Sequence, residues 1–182
     1  MAGNKVFIVG DKIMILRRLE KKDAPYMLEW MHDEDSVRYL KNDFMEMTLD
    51  ECERFIDRSS IEYVHNGTID FAVIDEGDEY MGTISLKNID MNAGNAEYAI
   101  SMRTCARGSG LALKATNELL RRAFEEWEME RVYLNVIDEN KRAIRFYEKA
   151  GFSYEGTFRK HLRIKGELVD LKWYSMLKSD FL

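Results

Sequence analysis

Hydrophobic residues recur three or four positions apart most regularly in the segment that follows Gly110. Its predicted buried positions are Ala112, Ala115, Thr116, Leu119, Leu120, Ala123, Phe124 and Trp127. This spacing, with charged residues opposite, predicts an amphipathic helix that packs one face on a sheet. Two further helices are predicted upstream. Asp23 is expected to cap one that buries Met27 and Trp30, and Thr48 with Glu51 has the capping-box pattern of the other.

Runs rich in β-branched and aromatic residues predict strands between these helices. Polar turns separate the first three strands, which are therefore expected to form an antiparallel meander. The predicted strands are residues 69–74, 80–86, 96–102 and 131–137. After the last of them, Asn140 is expected to cap a short helix that runs through Lys149, and Gly151 to end it in the left-handed conformation.

Both ends of the chain are predicted to form hairpins. In the N-terminal hairpin (residues 1–19), a strand at 6–9 is expected to pair with a strand that begins at residue 13. In the C-terminal hairpin (residues 153–182), two long strands are expected to turn at Lys165-Gly166. The order of elements predicts a mixed α/β (α+β) fold, with a largely antiparallel central sheet flanked by helices, in a single domain over residues 1–182.

Composition supports one compact domain. The chain has 182 residues, of which 46% are hydrophobic and 33% charged, and it contains 1 proline. No segment is of low complexity, and no apolar run approaches the roughly 18 residues of a membrane-spanning helix. The first residues lack the layout of a signal peptide. We therefore expect a cytoplasmic protein that does not bind a membrane.

Charge and cysteine spacing argue against two classes of ligand. The net charge of -6 disfavours nucleic acid, because phosphate backbones are bound by clustered lysine and arginine. Cys52 and Cys105 are far apart and lack metal-type spacing, so no metal site is predicted and both are expected to be free thiols. Cys105 is expected to be a small buried side chain.

A glycine-containing turn before the amphipathic helix is the main candidate binding site. Its residues are Arg107, Gly108, Ser109, Gly110, Leu111 and Ala112. Glycines let the backbone approach a ligand closely, and the following helix directs unpaired amides and its positive dipole end at the same point. The turn could therefore bind a pyrophosphate, or it could serve only to start the helix. Neither the Walker P-loop pattern nor the Rossmann dinucleotide fingerprint is present.

A second pattern lies downstream, in Asn140-Lys-Arg-Ala-Ile-Arg-Phe-Tyr-Glu-Lys-Ala-Gly-Phe152. This segment resembles the acetyl-CoA-binding region of the GNAT superfamily of N-acetyltransferases, and Arg107-x-x-Gly110-x-Ala112 matches the pyrophosphate loop of that superfamily. The likeness covers nearly the whole chain. It is greatest for the branch that contains ribosomal-protein, spermidine and amino-sugar N-acetyltransferases. The resemblance implies that acetyl-CoA is the cosubstrate.

The resemblance also implies roles for individual residues. Tyr147 matches a tyrosine that protonates the departing sulfur of CoA, and Asn140 a residue that binds the pantetheine arm. Backbone amides near the end of the strand at 96–102 would stabilise the oxyanion of the thioester carbonyl. The implied cofactor-binding residues are Ile100, Ser101, Met102, Arg107, Gly108, Ser109, Gly110, Leu111, Ala112, Asn140, Arg142, Ala143 and Tyr147.

An amine acceptor must lose a proton before it attacks, because alkyl ammonium groups titrate near about 10.4. Glu97, on the strand before the turn, is the first candidate for the base, directly or through water, and the alternative is a structural carboxylate. The acidic residues 33–35 could attract a cationic acceptor or be a solvated helix end. The 3 histidines are scattered and do not identify a base.

Together these features predict an acetyl-CoA-dependent N-acetyltransferase with direct transfer, since no activated nucleophile is evident. The expected acceptor is a primary amine of a small molecule, either a polyamine or an amino sugar with or without a linked nucleotide. A protein N-terminus of the ribosomal-protein type is the alternative acceptor. A non-catalytic acetyl-CoA-binding module is the alternative of another class. An exposed strand edge or hairpin could support a homodimer.

Overall fold

The computed structural model describes residues 15–181. The helices are α1 (Ala24–Met31), α2 (Glu34–Val37), α3 (Leu49–Arg58), α4 (Leu111–Arg121), α5 (Lys141–Lys149) and α6 (Lys178–Phe181). The strands are β1 (Leu16–Arg18), β2 (Ile69–Ile74), β3 (Tyr80–Asp90), β4 (Asn95–Met102), β5 (Arg131–Ile137), β6 (Ser153–Ile164) and β7 (Glu167–Leu177). The predicted strand at residues 6–9 lies outside the described residues.

One sheet has the strand order β1-β2-β3-β4-β5-β7-β6. Every neighbouring pair is antiparallel except β4 and β5, which run parallel because α4 returns the chain across one face of the sheet between them. The largely antiparallel fold, the meander of β2 to β4 and the hairpin of β6 and β7 are confirmed. Within residues 15–181, no helix is both long and apolar enough to cross a membrane.

Helices pack on both faces of this sheet. Along β2, Phe71 belongs to the core cluster that contains Leu119 of α4, and Ala72 to the cluster that contains Met27 of α1 and Ile56 of α3. Because neighbouring side chains of a strand point to opposite faces, α4 and the α1–α3 layer lie on opposite sides. The C-terminal part of β4 and β5 lies between these two layers.

The predicted cap at Asp23 is right in its position but wrong in its hydrogen bond. Asp23 occupies the N-cap position of α1, but its side chain makes no hydrogen bond to the amides of α1. Its carboxylate, which is 1% exposed, accepts from both terminal nitrogens of Arg17 at 2.8 Å and from the backbone amide of Glu20 at 2.9 Å. A buried carboxylate requires a counter-charge, and the arginine supplies it better than the helix amides would.

The predicted long helix after Gly110 is shorter than its periodicity indicated. α4 ends at Arg121, and a π-type turn follows over Arg122–Glu126. The amide of Trp127 donates to the carbonyl of Arg122 at 3.0 Å, which widens the last turn. Ala123 and Phe124 nevertheless stay buried, so the hydrophobic pattern is preserved while the backbone hydrogen bonding changes.

Candidate active site

The parallel strands β4 and β5 separate soon after they pair. They are in register only over residues 95–97 and 131–133. Beyond these positions β4 continues to Met102 and β5 to Ile137 without pairing to each other. The backbone groups that face the gap from these segments therefore have no strand partner and are available to a ligand.

A cavity of about 670 Å³ occupies this gap. Most of the sequence-predicted site residues line it, because the gap, the glycine turn and α5 all border the same space. These are Ile100, Ser101, Met102, Arg107, Gly108, Gly110, Ala112, Asn140, Arg142, Ala143 and Tyr147. Ser109, Leu111 and Glu97 do not line it.

The glycine turn leaves helix amides unpaired at the cavity. Gly108 and Gly110 have φ angles of 78° and 81°, in the left-handed region that favours glycine, and Gly110 is the residue before α4. The first helical bond runs from the amide of Lys114 to the carbonyl of Gly110 at 3.1 Å. Among the described residues, the amides of Ala112 and Leu113 donate to no other protein atom. They are free to bind an anion at the positive end of the helix.

Arg107 connects the glycine turn to α2. Its guanidinium donates to Asp33 at 3.2 Å and to the hydroxyl of Ser36 at 2.6 Å, and the hydroxyl of Thr104 donates to Asp33 at 2.9 Å. The hydrogen bonds from Ser36 and Thr104, with the nearby Arg107 charge, lower the pKa of Asp33. The Asp33 carboxylate therefore faces the turn, while the expectation that residues 33–35 attract a cationic acceptor stays a prediction.

The α5 helix presents one side to the cavity. The side-chain oxygen of Asn140 accepts from the amide of Ala143 at 3.2 Å, which confirms the predicted cap. The cap starts the helix so that Arg142, Ala143 and Phe146 lie on one side and border the cavity. Asn140 itself also lines the cavity, so its position suits both capping and ligand contact.

Tyr147 lies in an aromatic cluster at the inner wall of the cavity. Its ring meets Tyr98 edge-on at a centroid distance of 6.1 Å and Phe152 at 6.2 Å. Burial raises the pKa of its hydroxyl to about 12. Among residues 15–181 the hydroxyl has no hydrogen-bond partner, so Tyr147 offers a proton to a cavity ligand at neutral pH.

Glu97 lies at the point where β4 and β5 diverge, one layer behind the cavity wall. Its carboxylate accepts from the side-chain amide of Asn88 on β3 at 2.8 Å and from that of Asn135 on β5 at 3.0 Å. Asn135 lines the cavity and Glu97 does not. The structure thus connects Glu97 to the cavity through Asn135.

Several cavity residues had no sequence signal. Basic side chains line the cavity at Lys41, Lys87 and Lys149, in addition to Arg107 and Arg142. Apolar walls come from distant elements, namely Trp30, Tyr39, Leu40, Phe146, Leu162 and Leu171. Phe146 and Lys149 lie in the quoted segment 140–152 but had no assigned role. The other residues belong to no motif, and only the packing of distant segments identifies them.

Neither the histidines nor the cysteines of the described chain line the cavity. His32 contacts the carbonyl of Met47 at 2.9 Å, His65 accepts from the amide of Met91 at 3.1 Å, and His161 packs on Phe158. None of the three lines the cavity. Cys105 is exposed, which contradicts the expectation of a buried side chain, because it lies on a short turn outside both cores.

Comparison with known proteins relates this cavity to a family. Residues 14–153 match the family model described as an acetyltransferase (GNAT) domain. The uncharacterized N-acetyltransferase p20 of Bacillus licheniformis is 27% identical over 92% of this chain and 94% of its own length. The spermidine N(1)-acetyltransferase of Vibrio cholerae is 28% identical over 93% of this chain and 95% of its own length.

A solved structure extends the likeness to three dimensions. The spermidine N-acetyltransferase from Vibrio cholerae in complex with CoA and spermine superposes with a TM-score of 0.78 at 26% identity. The match covers 91% of this chain and 96% of that chain. The shared fold therefore includes both helix layers and the divergent strands between them.

Proposed function

This chain belongs to the GNAT family of acetyltransferases, and we propose that it transfers the acetyl group of acetyl-CoA directly to a primary amine of a small molecule. The observation that carries this proposal is that one cavity connects the glycine turn to Tyr147 through the gap between β4 and β5. An anion-binding end and a proton-donating end therefore share one space. The family match and the likeness to a relative's CoA complex support the same function.

The residues at the glycine turn fit the phosphates of acetyl-CoA. The free amides of Ala112 and Leu113, the dipole of α4 and the nearby Arg142 all favour an anion. A Cβ atom added at Gly108 or Gly110 would meet no protein atom within 4 Å, so the space beside the turn is open to a ligand. When bound, acetyl-CoA supplies the acetyl thioester.

The inner end of the cavity suits the transfer itself. The amine nitrogen bonds to the carbonyl carbon and the carbon–sulfur bond breaks, so the carbonyl oxygen needs hydrogen-bond donors and the sulfur needs a proton. We assign the first role to gap-facing backbone amides among Ile100, Ser101 and Met102, which line the cavity. We assign the second to Tyr147, which lines the cavity and whose hydroxyl, with a pKa raised to about 12 by burial, is protonated at neutral pH.

Glu97 is our proposed acceptor for the proton that the amine must lose. Because the Asn135 side chain lies between the carboxylate and the cavity, we propose that the proton travels through water rather than directly. The amides of Asn88 and Asn135 fix the orientation of the carboxylate, as a positioned base requires.

Two classes of small-molecule acceptor have support from different observations. Polyamines are supported by the relatives, of which one is named a spermidine N(1)-acetyltransferase and another was solved with spermine. Amino sugars are supported by the hydrogen-bonding and apolar walls of the cavity at Ser36, Asn135 and Tyr39. Both classes present a primary amine, and neither requires a large open docking surface.

We further infer that residues 1–182 form a single acetyl-CoA-binding domain that acts in the cytoplasm. All seven described strands belong to one sheet, with β1 and β6 at its two edges, so a single sheet joins the two ends of the described chain. Cys52 and Cys105 are both free, as is usual in a reducing compartment.

A panel of amines tests the proposed function. The purified protein and acetyl-CoA are mixed with polyamines, amino sugars, nucleotide-linked amino sugars, amino acids and N-terminal peptides, and release of the CoA thiol is measured. We expect at least one small amine to accelerate release well above the rate without an acceptor. If acetyl-CoA raises the melting temperature but no amine accelerates release, the protein is a binding module and the proposal is wrong.

A further inference from the structure

The cavity has two halves on opposite faces of the sheet. The cofactor half, between α4 and α5, is bordered by the glycine turn and by Arg142 and Lys149. The acceptor half lies on the face covered by α1 to α3 and by the C-terminal hairpin. It is bordered by Tyr39, Lys41, Lys87, Asn135, Leu162 and Leu171.

Strand register places Lys87 in the acceptor half. Thr83, four residues before Lys87 on β3, pairs with Ala72, which belongs to the core under α1 and α3. Side chains at even spacing on a strand share a face, so Lys87 points to the same side. Lys87 is also the register partner of Glu97. It therefore stands beside the point where the amine reacts.

The charge of Lys87 is not neutralised by an ion pair. The Lys87 side chain is exposed at the cavity, and among the described residues no carboxylate lies within 4.0 Å of its ammonium. Both oxygens of Glu97 accept from amides instead. The nearby carboxyl of Asp70 accepts from the Ser85 hydroxyl at 2.6 Å; burial raises its pKa, and the charge of Lys87 opposes that rise.

The lining of the acceptor half has a single sign of charge. Lys41 and Lys87 are its charged members, and no aspartate or glutamate among residues 15–181 lines any part of the cavity. Asp33 is bound by Arg107, Ser36 and Thr104, and in the adjoining depression Asp35 and Glu139 lie among the cations Arg38, Lys141 and Arg142. A polycation would meet these two like charges in the lining itself, with the Glu97 carboxylate set behind Asn135, whereas an anionic group would meet attraction from both lysines.

We propose that the acceptor is a primary amine that also carries an anionic group, a phosphate or a carboxylate, and that Lys87 binds this group. The inference rests on the proposed function and narrows its substrate class. The amine forms the new carbon–nitrogen bond and loses one proton, and CoA leaves with one proton on its sulfur. Lys87 acts as a specificity residue and takes no part in the proton transfers.

Matched acceptors test the charge of the substrate. Thiol release is measured with glucosamine against glucosamine 6-phosphate and a nucleotide-linked amino sugar, with an amino acid against its amide, and with spermidine. We expect an anionic member to exceed its neutral counterpart and spermidine in kcat/KM by roughly tenfold or more. The pairs separate phosphate from carboxylate as the source of charge. Spermidine as the best substrate would overturn the inference but keep the proposed function, and inactivity with every amine would overturn both.

Variants of Lys87 test its role. With the best anionic acceptor, Lys87→Glu is expected to raise the acceptor KM by roughly tenfold or more, while the KM for acetyl-CoA stays within about twofold. Lys87→Arg retains the charge and is expected to restore most of the affinity. Arg18→Glu, an equal charge change at an exposed residue of β1 outside the cavity, is the control and should leave both KM values unchanged. Equal KM values for Lys87→Glu and the wild type would exclude Lys87 as a binding residue.

Discussion

The cofactor half and the acceptor half of the cavity are built in different ways. The cofactor half comes from one continuous stretch, residues 97–152, in which a strand, a turn, a helix and a cap follow one another. The acceptor half combines residues of α1 and the segment after α2 with Lys87 of β3 and the C-terminal hairpin. Backbone groups dominate the first and side chains the second. Local backbone geometry is sufficient to bind the phosphates of the cofactor. Selection of an acceptor depends on side chains that packing brings together.

The largest effect is expected from Tyr147→Phe, which tests whether chemistry and cofactor binding separate within the cofactor half. Turnover should fall by about 100-fold or more, because general acid catalysis contributes roughly 10²- to 10⁴-fold. Affinity for acetyl-CoA, measured by calorimetry, should change less than about twofold, since the ring and its packing remain. Tyr63→Phe is the control, because Tyr63 stacks on Trp127 outside the cavity. Unchanged turnover in Tyr147→Phe would remove Tyr147 from the mechanism.

Glu97→Gln tests whether Glu97, which lies where β4 and β5 diverge between the two halves, accepts the proton of the amine. We expect kcat/KM to fall by roughly 10-fold or more at neutral pH, because a carboxamide cannot accept the proton. Asn88→Gly is the matched control, since it removes one hydrogen bond to Glu97 and suits the φ angle of 49° at that position. Both variants should lose a similar amount of stability, about 1 kcal/mol, in chemical denaturation. If they also lose the same activity, Glu97 only holds β3, β4 and β5 together.

Gly110→Ala tests the dependence of the cofactor half on backbone conformation. The φ angle of 81° disfavours any residue with a Cβ, so we expect a stability loss of about 1–2 kcal/mol. The Kd for CoA should rise by roughly fivefold, because the amides that follow are less well oriented. Gly156→Ala is the control, since that position has open space around it and an ordinary φ angle. Equal CoA affinity in both variants would show that the left-handed turn is not needed for binding.

Asp33→Asn tests the contact between Arg107 of the glycine turn and the residue before α2, and it has the smallest expected effect. Removing the carboxylate frees Arg107, so we expect CoA to bind up to about twofold more tightly at neutral pH. The pKa of Asp33 is lowered in the folded protein, so the carboxylate stabilises the fold above its unfolded pKa of about 3.9, and this stability is lost as pH falls through the lower folded value. The difference in melting temperature between wild type and variant should therefore shrink below about pH 4. A difference that stays constant with pH would contradict this account.

Much of the cofactor half could be predicted because its determinants are local. The requirement for positive φ at Gly108 and Gly110, the Asn140 cap and the alternation of strand residues each depend on a few neighbouring positions. The predicted helix and strand boundaries of residues 131–149 agree with the structure for the same reason. The prediction at Asp23 failed because the capping pattern does not include the charge of Arg17, which lies on the preceding strand and binds the carboxylate that was expected to cap α1.

By itself, the sequence of this protein determined its family, its strand and helix order and the anion-binding turn, since each is encoded by the spacing of neighbouring residues. Only the tertiary structure decided where β4 and β5 part, that Glu97 lies behind Asn135, and that Lys41 and Lys87 line the same cavity as the glycine turn. Those features join segments tens of residues apart, and the free energy of burying the two helix layers against one sheet determines how they meet. No local sequence pattern predicts that Lys41 and Lys87 line the cavity.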